Sequence, residues 1–207
     1  MQYNFETGEN IFFTSDTHFW HKNVIKYCSR PYESIEKMNE ALIQNWNDTV
    51  NDDSIIFHLG DFGFCGSENF AKLIKSLHGH IYWILGNHDY RNWRDSYKNL
   101  VEYVSSKMSI RIGDTNILLN HEPLLSFSGQ FNNKEWQLFG HVHTNSHKDY
   151  SGTTLIHCTS TQYDVGIDFN NYKPVSFNII KEKIQNQIDT NTNYLGYPVP
   201  QIIWKEK

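Results

Sequence analysis

Cysteine is scarce in this chain: Cys28, Cys65 and Cys158 are the whole complement, and no two of them form a Cys-x-x-Cys pair. An odd number without paired spacing argues against a disulfide framework and against a structural zinc knuckle, so reduced, buried thiols are expected. Positive charge is not in excess either. Eighteen Lys and Arg stand against 23 Asp and Glu, a net charge of −5, which offers no basic face for sequence-independent capture of nucleic acid or for a polybasic membrane anchor. Long apolar runs are missing: the longest, Ile81-Tyr82-Trp83-Ile84-Leu85, has five residues, against roughly 20 for a bilayer crossing. The opening residues Met1-Gln2-Tyr3-Asn4-Phe5-Glu6 have neither the basic start nor the apolar stretch of a signal peptide. A cytoplasmic protein with no membrane partner is expected. Two full domains would be cramped in 207 residues, and no repeat or charge block divides them.

Histidine, by contrast, is plentiful, and its placement carries the argument. Short β-rich apolar runs recur, and each ends in residues able to bind metal. Ile11-Phe12-Phe13 leads into Thr14-Ser15-Asp16-Thr17-His18, and Ile55-Ile56-Phe57-His58-Leu59 into Gly60-Asp61. Ile81 to Leu85 leads into Gly86-Asn87-His88-Asp89, Ile117-Leu118-Leu119 into Asn120-His121, and Trp136-Gln137-Leu138-Phe139 into Gly140-His141-Val142-His143. Five strand-like runs thus deliver side chains to one edge.

Helical patterns lie between them. Ile35, Met38, Leu42, Trp46 and Val50 recur at spacings of three and four, with Ser34 placed to cap, which predicts a helix over Ser34 to Val50. Phe70, Leu73, Ile74 and Leu77 predict a second over Ser67 to Leu77. Strands dominate the expectation from Ile110 to Ile180, so the fold class is α/β, a mixed sheet or two packed sheets with helices outside. Residues 1–185 form the expected domain. Residues 186–207 are Asn-rich, with Pro198 and Pro200 and no clear period, and are expected to dock on the domain or on a partner subunit through Tyr194, Leu195, Tyr197, Ile202, Ile203 and Trp204.

The strand-end residues Asp16, His18, Asp61, Asn87, His88, His121, His141 and His143 offer nitrogen and oxygen and no sulfur, a set suited to Zn, Mn, Fe or Ni. Because a strand places residues i and i+2 on one face, Asp16 with His18 and His141 with His143 are expected to aim pairs of ligands into one cavity.

In their order, Asp16-Thr17-His18, Gly60-Asp61, Gly86-Asn87-His88-Asp89, His121 and Gly140-His141-Val142-His143 resemble the calcineurin-like metallophosphoesterases. The resemblance implies a four-layer α/β/β/α sandwich of two mixed sheets, with the metal site at the strand C-termini. It implies two divalent ions, Mn²⁺ foremost with Fe, Zn or Ni as alternatives: Asp16, His18, Asp61 and His143 on one, and Asp61, Asn87, His121 and His141 on the other. Asp61 would bridge. Such a pair of ions can hold phosphate oxygens and lower the pKa of a water between them, whose hydroxide attacks phosphorus. In that scheme His88 assists the leaving oxygen and Asp89 orients His88.

Around this set, His21 is a candidate to meet the substrate phosphate, and Arg30 and Arg91 are candidate phosphate clamps by their guanidinium geometry. His58, His78, His80, His147 and His157 are expected to be ordinary. The stretch Phe62-Gly63-Phe64-Cys65-Gly66 lacks the Asp-Arg-Gly of the Ser/Thr protein phosphatase branch, and Asp89 stands where that branch has Glu, which disfavours protein phosphatase activity. The segments Asp16 to Ile25 and Asp168 to Val175 are similar to small stand-alone bacterial and phage members. The expected activity is that of a phosphodiesterase on a small phosphoester, with nucleotides among the candidates. The few candidate cations favour a monoanionic diester over a dianionic monoester. A phosphomonoesterase and a catalytically silent scaffold are the alternatives. Stable binding of long nucleic acid is not expected; a homo-oligomer is compatible with all of this.

Overall fold

The five apolar runs are strands, and their alternation explains which face each one buries. The computed structural model describes residues 2–92, 95–144 and 158–199. One sheet has the order β10-β2-β3-β4-β5, from Val175–Ser176, Ile11–Thr14, Ile55–His58, His80–Ile84 and Tyr103–Ser105. β2 to β5 run parallel and β10 pairs antiparallel with β2. The other sheet has the order β1-β6-β7-β8-β9, from Gln2–Phe5, Lys107–Ile112, Thr115–Asn120, Glu135–Phe139 and Gln162–Asp164. There β7, β8 and β9 are parallel while β6 and β7 are antiparallel, so both sheets are mixed.

Alternate residues of the first sheet face opposite ways. Phe13, Phe57 and Ile84 meet Ile110, Ile117, Leu119 and Leu138 of the second sheet in an inner core. Ile56, Ile81 and Trp83 face an outer core with α2 (Ile35–Asn47) and α3 (Ser67–Ser76), which contribute Met38, Leu42, Trp46, Phe70 and Leu73. Each such side chain, once buried, contributes about 1.5–3 kcal/mol before ordering costs. The Ser34 hydroxyl accepts the Lys37 N–H at 3.2 Å and caps α2 as expected. The helix ends at Asn47 rather than Val50, although Val50 stays buried through its N–H bond to the Trp46 carbonyl.

One stretch departs from expectation. Phe177 to Ile180, within the stretch expected to be mostly strands, open α5 (Phe177–Thr190), because the Ser176 side chain accepts the Ile179 N–H and Phe177, Ile180, Ile184 and Gln187 repeat at three and four. Its last turn runs past residue 185. α5 contacts β10, β2 and β9, the edge strands of both sheets included, and its Phe177, Ile180 and Ile184 join the inner core. Beyond it Tyr194 is buried edge-to-face against Phe139 and Phe169, at ring separations of 5.5 and 5.3 Å. Ile202, Ile203 and Trp204 lie outside the described residues. No helix among the described residues is long and apolar enough to cross a membrane.

The parallel strands end together, and backbone pairing continues past those ends. Asp16 N–H donates to the Gly60 carbonyl, His18 N–H to Asp61, Phe19 N–H to Phe62 and Gly140 N–H to His121. Ser15 bridges to Gly166, which stitches the two sheets together beside Asp16.

Candidate metal centre

At these strand ends the backbone leaves the pleat. Asp16, His18, Asp61, His141 and His143 all have positive φ, between 46° and 70°. The expected i, i+2 convergence of each pair therefore comes from alternate left-handed residues in a loop and not from a strand face. Left-handed backbone costs roughly 1–2 kcal/mol per non-glycine residue. Close approach fixes two glycines here. A Cβ on Gly86 would lie 2.3 Å from Asp61 Oδ1, and one on Gly140 would lie 2.2 Å from Asp16 Oδ2.

The side chains so delivered converge. Asp16 Oδ1 is 3.9 Å from His18 Nε2 and 3.8 Å from His143 Nε2. Asp61 Oδ2 is 3.5 Å from His18 Nε2 and 3.5 Å from His121 Nε2. Asn87 Oδ1 is 3.0 Å from both His121 Nε2 and His141 Nδ1. Asp16, His18 and His143 form one group whose ligand atoms lie within 4.8 Å of one another; Asp16, Asp61 and His121 form another. All seven expected metal residues are brought together.

The donors fit a divalent cation. Asp16 Oδ1 and His18 Nε2 are buried and lack a hydrogen-bond partner, a situation that costs about 1–3 kcal/mol per group and that a bound cation relieves. The opposite ring nitrogens are held: His121 Nδ1 donates to the Leu59 carbonyl at 2.7 Å, His143 Nδ1 meets Asp168 Oδ2 at 2.7 Å, and His18 Nδ1 faces His21 Nδ1 at 3.2 Å. Each contact aims Nε2 into the cluster. Burial lowers the His18 pKa, helped by the His143 and Arg30 charges, which favours the neutral, ligating ring. Burial opposes charge on His143 and His121 too, but Asp16 and Asp168 hold His143 up to about 11, and the Asp61 bond holds His121 up to about 9. A cation entering the site displaces those protons.

The sequence profile of the calcineurin-like phosphoesterase superfamily domain matches residues 10–163, which contain all of these residues save Asp168. The chain belongs to that superfamily. It is a metal-dependent phosphoesterase. An uncharacterized protein of Methanocaldococcus jannaschii is 36% identical over 179 residues, 84% of this chain and 91% of its own length. The Gene 66 protein of Mycobacterium phage L5 is 28% identical over 182 residues, 77% of this chain and 86% of its own length. The crystal structure of a protein of unknown function from Aquifex aeolicus shares the fold, with a TM-score of 0.62 at 24% identity, covering 83% of this chain and 97% of that one.

Within this phosphoesterase, the remaining candidates divide. His88 donates its backbone N–H to Asp61 Oδ1 at 2.9 Å; its ring, 35% exposed, stands with Nε2 3.9 Å from Asp61 Oδ2. His21 lies against His18, as above. Arg30 is no clamp on substrate: its side chain is fully enclosed, with Nε and Nη2 on Asp168 at 2.9 and 2.8 Å and further bonds to the carbonyls of Asp16 and Thr17. It holds the Asp16 loop. Asp89 is likewise committed elsewhere than expected, since its carboxylate accepts the N–H groups of Asp61, Phe62 and Gly86 and of the Trp83 indole, at 2.7 to 3.1 Å. It clamps the Asp61 turn to the Gly86 turn, and burial pushes its pKa up to about 7 against the pull of those amides. Of Arg91 only the backbone, in the short helix α4 (Asp89–Asn92), is described; its side chain lies outside the described residues, as do His147 and His157.

Two residues carry functions that sequence reasoning missed. Asp168 orients His143 and neutralises Arg30, and its pKa falls, despite burial, through the His143 bond and the Arg30 charge. His58, contrary to its expected ordinary role, ties the two ligand loops together: its Nδ1 accepts the Gly60 N–H at 3.2 Å, so Nε2–H donates to Thr17 Oγ1 at 2.9 Å, which in turn donates to the Phe62 carbonyl at 2.8 Å. The only sequence signal was its place two residues before Gly60.

Proposed function

We propose that this metallophosphoesterase is a dinuclear phosphodiesterase acting on a small phosphoester. The observation that carries the reading is the position of Asp61 Oδ2, at 3.5 Å from His18 Nε2 of one ligand group and 3.5 Å from His121 Nε2 of the other. One carboxylate oxygen equally near a ligand nitrogen of each group suits two ions. Asp16, His18, Asp61 and His143 would hold the first, and Asp61, Asn87, His121 and His141 the second. When bound, two divalent ions polarise the phosphoryl oxygens and lower the pKa of a water between them.

The chain's own groups do the rest. Asp16 and Asp61 contribute two negative charges and Asn87 none, which leaves positive charge for an anionic phosphate. His88, partly exposed beside Asp61, is the group placed to donate a proton or hydrogen bond from Nε2 to the departing alcohol oxygen. Enclosure of Arg30 supports the diester preference, because it removes a guanidinium that a dianionic monoester would use. The test is hydrolysis of bis-p-nitrophenyl phosphate beside p-nitrophenyl phosphate with Mn²⁺ supplied. Faster diester turnover is expected; faster monoester turnover reverses the assignment.

A further inference from the structure

Phe62 and Phe64 follow Asp61 on one short segment, yet they go to different places. Phe62 is fully buried in the outer core, where it stacks on His58 at 4.0 Å. Phe64 is only partly buried, and among the described residues its ring neighbours are three imidazoles of the site: His21 at 4.2 Å, His88 at 5.2 Å and His18 at 5.8 Å. This placement is built by the backbone. Phe19 N–H donates to the Phe62 carbonyl at 2.9 Å and Phe64 N–H to the Phe19 carbonyl at 2.8 Å, so strand-like pairing continues beyond the ligand loops as far as Phe64. Gly63 permits the approach, since a Cβ there would stand 3.1 Å from the Phe19 carbonyl oxygen.

From Phe64 the rings continue outward. His21 is 6.3 Å from Tyr27, a residue 55% exposed at the end of α1 (Lys22–Tyr27). A row of rings therefore runs from the metal-ligand His18 past His88 and Phe64 to solvent. It lies on the side of the site where His88 stands. A core-filling role does not account for a phenylalanine surrounded by imidazoles and partly open to solvent; a face for a flat group does.

We infer that Phe64, flanked by His21 and Tyr27, is a specificity-determining residue that stacks an aromatic ring carried by the leaving alcohol of the phosphoester. This rests on the phosphoesterase reading above, with His88 on the leaving-group side. The ring class is a nucleobase or an aryl group, and the two are separable by experiment. Stacking of a base on an aromatic side chain corresponds to roughly a 5- to 100-fold gain in affinity.

The test is calorimetric binding of thymidine 5′-phosphate, phenyl phosphate and ethyl phosphate to the Mn²⁺-loaded protein, which needs no turnover. At least one ring-bearing ligand is expected to bind about tenfold more tightly than ethyl phosphate; a gain for thymidine 5′-phosphate alone assigns a nucleobase, and for phenyl phosphate alone an aryl ring. In Phe64→Leu the ratio of ring-bearing to ethyl affinity should fall towards one, while Phe64→Tyr keeps it. Equal affinity of the three ligands in the unaltered protein, or a ratio unchanged in Phe64→Leu, overturns the inference while leaving the phosphodiesterase reading intact. Absence of Mn²⁺-dependent binding by all three, with bis-p-nitrophenyl phosphate left unhydrolysed, sinks both.

Discussion

Arg30 and Asp168, 138 residues apart in the chain, are joined through two parallel hydrogen bonds of 2.9 and 2.8 Å in the protein interior, and the same carboxylate holds His143. The pair thus ties the Asp16 loop to the last ligand. Removing one partner of a buried pair leaves an uncompensated charge, at a cost of about 3–5 kcal/mol. Asp168→Ala should therefore lower the melting temperature sharply. Asp168→Asn, which keeps shape and loses charge, should weaken metal affinity about 10- to 100-fold through the released His143. Thermal melts and a metal titration check both; unchanged metal affinity in Asp168→Asn would show that His143 does not depend on it.

His58 predicts a pH dependence of stability with a definite sign. Burial, aided by the His121 charge, pushes its pKa down to about 3 in the fold, against about 6.5 in an unfolded chain. Between those values the unfolded chain takes up a proton that the fold refuses. The stability conferred by neutral His58 is thus complete above pH 6.5 and is lost as pH falls towards 3, by about 1.4 kcal/mol per pH unit. In His58→Gln, which does not titrate, the slope of stability against pH over this window should be shallower by about that amount. Urea denaturation at several pH values measures it, and parallel slopes would refute it.

Asp61→Asn should keep the fold and abolish turnover. A neutral amide supplies neither ligand group with charge, and loss of several kcal/mol of charge stabilisation corresponds to at least about 10³-fold in rate. Metal analysis beside kinetics is the check. Two tightly held ions together with full activity would contradict the bridging position.

His88→Ala separates proton donation from metal binding. Both ions should remain, and hydrolysis of an ester with an alkyl or nucleoside leaving group should slow by roughly 10²–10⁴-fold. A nitrophenolate departs without help, so the same substitution should matter far less for a nitrophenyl ester. Equal losses on both substrates would make His88 a positioning group, and a lost ion would make it a ligand.

Much of this arrangement was legible in the chain because it is local. Each ligand follows closely on an apolar strand, as Asp61 follows Ile55 to Leu59, and Ser34 with the stripe from Ile35 to Trp46 marks α2 without reference to any distant residue. What stayed hidden depends on partners far away in sequence. Arg30 reads as a phosphate clamp until Asp168 stands beside it, and Asp89 reads as an aid to its neighbour His88 until the amides of Asp61 and Phe62 close on it. The start of α5 was obscured for a different reason: Ile179 and Ile180 favour strands on their own, and the Ser176 cap together with burial of Ile180 and Ile184 overrides that preference.

The left-handed backbone at the ligands changes how substitutions there should be interpreted. Asn, Asp and His are the non-glycine residues most often found in that region, so at Asp16, His18, Asp61, His141 and His143 the conformation and the ligand chemistry select the same short list of side chains. An alanine scan of these positions would measure two quantities at once, the lost donor and the added torsional strain, and would overstate the first. Glycine removes the donor while leaving the turn at ease, and asparagine removes charge while tolerating the twist. The difference between alanine and glycine at a single position, Asp16 for instance, is then a direct reading of how much conformational tension the loop holds.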